Sequence, residues 1–155
     1  MTNIYYMVEE TGERFHYENL DPHEVSARAE CQFMIRNGMQ YEKSYNSLLP
    51  NGSPFVLLHD LGINHAMPHE IVYPVLTLEA RDVRTKEKWY TFSLRDHEQA
   101  FRFLQSGTIF YPHESRVGCF RTVELDSTEI DEERNCYVYY GEASSLLVDY
   151  EGNEI

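Results

Sequence analysis

The chain has 155 residues, is 42% apolar and carries 12 Tyr, 8 Phe and 1 Trp, which is enough to bury one core and too rich for a disordered chain. Its 26 acids against 13 Lys and Arg give a net charge of −13, a balance that repels duplex nucleic acid and favours basic partners. No apolar run nears the roughly 20 residues of a membrane span, and no secretory leader is visible. Three separated cysteines, Cys31, Cys119 and Cys136, argue against a disulfide framework, so a cytoplasmic protein is expected.

Along the chain, Ile4 to Val8 and Arg14 to Tyr17 flank a turn at residues 10–13 and predict a hairpin. A helix follows, with Asp21 as N-cap, Pro22 at N1, Glu24 at N3 and Leu20 stapled onto Val25, ending near Arg36 and Gly38. Its interior also alternates as a strand would. Length, caps and the stripe Ala27, Cys31, Met34 and Ile35 favour helix.

Residues 40–48 predict a strand, Leu49 to Pro54 a turn, Phe55 to Leu58 a short buried strand and His59 to Pro68 a loop. Ile71 to Val83 and Lys86 to Leu94 read as longer strands. A second helix, capped by Ser93 with Asp96 at N3, packs Ala100, Phe101 and Leu104 and ends at Gly107. A strand at Val117 to Leu125, an acidic connector at Asp126 to Glu133, a strand at Cys136 to Tyr140 and a short one within 144–150 complete the pattern. Residues 151–155 are polar and frayed.

The expected fold is a single α+β domain over residues 1–150: a mainly antiparallel twisted sheet of about six or seven strands with two helices packed on one face. One internal echo stands out. Arg14-Phe15-His16-Tyr17 leads to Leu20 and His23-Glu24, and Lys88-Trp89-Tyr90-Thr91 leads to Leu94 and His97-Glu98; duplication and shared strand-to-helix chemistry both account for it.

Four groups of residues carry chemistry. Between residues 122 and 155 ten acids face one base, Arg134, and Glu124, Asp126, Glu129, Asp131, Glu132 and Glu133 fall in ten consecutive positions. Carboxylates held on a scaffold can occupy the basic groove of a partner, as an inhibitor, immunity protein or nucleic-acid mimic does. His59, Asp60, His65 and His69 supply nitrogen and oxygen ligands suited to Zn²⁺ or Mn²⁺ in a metal-dependent hydrolase, although Gly62 and Pro68 disfavour a helix that would align them. Between Arg84 and Arg95, Lys86 and Lys88 interleave with Trp89, Tyr90 and Phe92, as in a single-stranded nucleic-acid platform that the acidic C-terminal segment would screen. Tyr137, Tyr139 and Tyr140 suit a homodimer interface or a core. The favoured reading is a cofactor-free acidic binding protein that occludes a basic surface on a protein partner, with no catalytic residue assigned.

Overall fold

The computed structural model describes residues 2–65 and 70–155. Twelve elements follow one another: β1 (Thr2–Val8), β2 (Arg14–Leu20), α1 (Pro22–Glu30), β3 (Phe33–Arg36), β4 (Met39–Leu48), β5 (Pro54–Ile63), β6 (Thr77–Asp82), β7 (Lys88–Ser93), α2 (His97–Gln105), β8 (Thr108–Pro112), β9 (Phe120–Asp131) and β10 (Cys136–Val148). The ten strands form a single sheet in the order β2-β1-β5-β4-β3-β9-β10-β6-β7, with β8 also paired to β9. This corrects the expected six or seven antiparallel strands. The sheet is mixed, because β1 pairs β5, β3 pairs β9 and β10 pairs β6 in parallel.

The pairing pattern occurs twice. In residues 2–63 the first strand pairs antiparallel with the second and parallel with the fifth, while the fourth pairs antiparallel with both third and fifth. Residues 77–148 repeat each of these pairings in the same order around α2. The two stretches of the sequence echo are β2 running into α1 and β7 running into α2, equivalent places in the two ββαβββ units. The parallel β3–β9 pair joins the units into one sheet.

The first helix is shorter than expected. Asp21 caps it by accepting from the His23 N–H and Pro22 occupies its first turn, but it stops at Glu30, where Cys31 is extended. Phe33, Met34 and Ile35 then form β3 instead of the last helical turn. Asn37 (φ 51°) and Gly38 (φ 76°) make the two-residue turn into β4, the left-handed pair that a tight hairpin requires. The second helix is capped by Asp96, whose side chain accepts from the Gln99 N–H, three residues beyond the expected Ser93.

Directly paired residues share a face of the sheet. Tyr137 and Tyr139 point to the helix side, where the Tyr139 hydroxyl donates to the Ser106 carbonyl at the end of α2, and α1 packs on α2 above them. Both rings are at most 2% exposed and belong to the main core with Ile4, Leu78, Ala100 and Leu104, so these two tyrosines are core and not a dimer surface. Val138 pairs with Glu129 on one side and Glu79 on the other, which puts both carboxylates on the helix-free face.

The acidic connector is absent. Residues 126–131 belong to β9, where Ser127 to Asp131 are all buried, Glu129 and Asp131 at 2% exposure each, while Asp126, passed over at the register shift between Leu125 and Ser127, stays outside. The loop expected from His59 starts later, since β5 pairs with β4 as far as Ile63.

Candidate functional site

The helix-free face carries a cleft of about 610 Å³ bounded by both units and by the segment linking them. Glu129, Asp131, Tyr140 and Arg81 are on its sheet side, Ile63 and Ile71 at its apolar margin, and Lys86 and Lys88 come from the β6–β7 turn.

Arg134 organises the floor. Its Nη1 and Nη2 donate to the two oxygens of Glu79 at 2.8 and 2.9 Å, and its Nε donates to Asp131 Oδ2 at 2.7 Å. The other Asp131 oxygen accepts the backbone N–H groups of Glu133 and Arg134, which fixes the β9–β10 turn. Glu79 also accepts from Arg81 Nε and from the Tyr73 hydroxyl. Burial alone would push the Glu79 carboxyl up, but donation from Arg134, Arg81 and Tyr73 outweighs it and holds the group at about 2.

Glu129 is treated oppositely by its surroundings. Its Oε2 accepts from the Tyr140 hydroxyl at 3.1 Å, and Oε1 has no hydrogen-bond partner among the described residues. Burial, reinforced by the Asp131 charge, pushes its carboxyl up to about 7, although Tyr140, Arg134 and Lys86 act the other way. Lys86 sets its ammonium 4.5 Å from the centre of the Tyr140 ring and donates to the Val83 carbonyl. A carboxyl that titrates near neutrality at the floor of a cleft can accept a cation or exchange a proton there.

The six acids singled out in the sequence do not form one surface. Glu129 and Asp131 belong to this buried network. Glu132 lies toward the helices, where it accepts from Arg28 at 2.7 Å and from the Tyr17 hydroxyl, and Glu133 accepts from the Gly38 N–H. Glu124, Asp126 and Glu133 remain exposed.

The histidine group is likewise divided. His59 pairs with Glu10 across the sheet, Asp60 accepts from the Gly62 N–H, His65 borders the cleft, and His69 lies outside the described residues. The one set of three ligand atoms within 4.8 Å of each other among the described residues is Glu9, Glu10 and His59, all exposed. A cation held there would be bound by the β1–β2 turn together with β5, and not by His59 with His65.

On the basic strand, Tyr90 stacks on Tyr111 with centroids 5.7 Å apart and Phe92 meets Phe103 at 4.7 Å. Those rings are occupied by the protein's own side chains. Arg84, Lys86, Lys88 and Arg95 are exposed.

No membrane-crossing helix is formed by the described residues, none being long and apolar enough. Sequence reasoning missed Glu79, Arg81 and Tyr73, which bond one another locally but reach Arg134 and Tyr140 only through the parallel pairing of β6 with β10; the lone base Arg134 amid ten acids was the available signal. No family model, curated protein or solved structure matches this chain.

Proposed function

We propose that the protein is a cofactor-free binding protein that occludes a basic surface on a protein partner. The observation that supports this reading is the charge left outside after folding. Among the described residues sixteen acids but only seven bases are exposed, and five of those bases fall between Arg84 and Arg102. The remaining surface is acidic almost without opposition, which steers a basic macromolecule and speeds its encounter.

Contacts are reassigned from residues 124–133 to the turn between β1 and β2, where Glu9, Glu10 and Glu13 are exposed beside Glu42 and His59. These carboxylates are held in place. Ser44 donates to Glu9, and the Asp60 N–H and His59 bind Glu10. The Asp60 N–H holds the Glu10 carboxyl below its usual range, so it stays ionised at neutral pH. Preordered charges lose less conformational freedom when a partner docks.

The test is affinity capture from a lysate of the source organism with nuclease present, using the intact protein, an E9Q/E10Q/E13Q variant and an E124Q/D126N/E133Q variant. A basic protein held in a salt-dependent manner by the intact chain and lost from the first variant is the expected result. Recovery of no basic partner, or capture indifferent to both variants, overturns the proposal.

A further inference from the structure

The helix-free cleft has a chemistry of its own, independent of the acidic turn. Glu70, Glu129 and Asp131 line the cleft with Arg81 and Arg134, and the fully buried Glu79 lies beneath them, with Arg134 Nε 3.7 Å from Glu70 and 2.7 Å from Asp131. Even when the Lys86 ammonium above Tyr140 is counted, carboxylates exceed cations by one among these groups. Lys88 reaches the Tyr73 hydroxyl at 3.5 Å and is offset at the rim by Glu87, while His65 borders the opening.

Buried charge in excess of its counter-ions is costly, and the cost is relieved by protonation or by a bound cation. Glu129 is where the excess is expressed: it is 2% exposed, borders the cleft, and leaves Oε1 without a donor among the described residues. Around the opening, Ile63 is 69% and Ile71 49% exposed, two large apolar side chains that no part of the described fold covers. A cation hydrogen-bonding to Glu129 with an apolar stem between these isoleucines satisfies both features.

We infer that the cleft binds an organic cation on an aliphatic stem, a guanidinium or primary ammonium, with Glu129 as its counter-ion and Ile63 and Ile71 against the stem. A bare metal ion fits less well. The oxygens of Glu70, Glu129 and Asp131 do not form a three-ligand set within 4.8 Å among the described residues, whereas a guanidinium spreads several N–H donors over a wider span. The same chemistry is available from a free alkylguanidine or from an arginine side chain of a polypeptide.

Occupancy and protonation exclude each other at Glu129. An empty site is partly protonated at neutral pH, and an arriving cation displaces that proton to solvent, so binding is accompanied by proton release.

The test titrates the intact chain with agmatine, Nα-acetyl-arginine methylamide and neutral butylurea at pH 7, following the backbone amides of Glu129, Tyr140 and Ile71 by NMR and proton release by calorimetry in two buffers of different ionisation enthalpy. Saturable shifts with either cation but not butylurea, accompanied by proton release, are expected. Glu129→Gln should weaken binding at least tenfold and abolish the release, and Ile71→Ser should weaken binding while leaving the release intact. Agmatine alone binding identifies a small-molecule site, and the blocked arginine binding equally well identifies a side-chain site. No saturable shift with either cation, an equal response to butylurea, or unchanged binding by a folded Glu129→Gln protein overturns the inference. Partner capture by the acidic turn is read separately and stands or falls on its own.

Discussion

Arg134 grips Glu79 through two parallel hydrogen bonds across 55 residues of sequence, joining the β9–β10 turn to β6 beneath the cleft. Both side chains are buried, at 8% and 0% exposure, so loss of either partner strands a charge in the interior. Arg134→Leu should lower unfolding free energy by about 3–5 kcal/mol. A double-mutant cycle with Glu79→Leu should return a coupling of about 1–3 kcal/mol in urea unfolding. Additive single effects would mean the pair is not a working unit.

Glu129 makes stability depend on pH in an unusual direction. Its folded carboxyl titrates near 7, above the ordinary value of 4.5, so between those values the folded state holds a proton that the unfolded chain has lost. Stability from this group is full below pH 4.5 and declines as pH rises to about 7, by roughly 3 kcal/mol at most. Urea midpoints measured from pH 5 to 8 should fall for the wild type and fall less for Glu129→Gln. Equal slopes would place the titration elsewhere.

Glu79 acts with the opposite sign. Its folded value near 2 means that its contribution is present above the ordinary 4.5 and is lost as pH falls toward 2. Glu79→Gln should therefore lose stability at pH 7 and show a smaller further loss between pH 4.5 and 2 than the wild type, as read by circular dichroism.

Gly141 sits where β9 and β10 change register. A Cβ there would lie 2.4 Å from the Glu124 carbonyl oxygen and 2.5 Å from Val123, and the backbone oxygen has little freedom to move. Gly141→Ala should cost about 1–3 kcal/mol in thermal or urea unfolding. A neutral substitution would show that the bulge relaxes freely.

Cys31, Cys119 and Cys136 are all free and buried, and burial pushes the thiols of Cys31 and Cys136 up. An aromatic disulfide reagent at pH 8 should label none of them quickly in the native protein and all of them in urea. Rapid native labelling would indicate local opening around β10 or α1.

The sequence by itself determined the single core, the absence of a disulfide framework, the hairpin start, both helix N-termini to within three residues and the marked surface charge. These rest on local or compositional physics: apolar content, proline at the first turn, capping side chains and counted charge. It also contained signals that local reasoning assigned otherwise. Asn37-Gly38 is a hairpin turn, yet beside a credible helix cap it reads as a helix end, because the alternation of Phe33 and Ile35 becomes decisive only when β9 supplies parallel hydrogen bonds.

Tertiary structure alone decided the mixed sheet, the two equivalent units and the inward turn of Glu129 and Asp131. Six carboxylates in ten residues resemble a solvated loop until the β9–β10 pairing sets Arg134 on Asp131 and Tyr140 on Glu129, contacts that outweigh the weak strand preference of acids. Glu124, Ser127 and Glu129 share the helix-free face opposite Glu142, Tyr140 and Val138, yet Glu124 is exposed and Glu129 buried. Position along β9, fixed by its register with β10, therefore separates solvated from buried carboxylates, and no local pattern in the sequence marks that boundary.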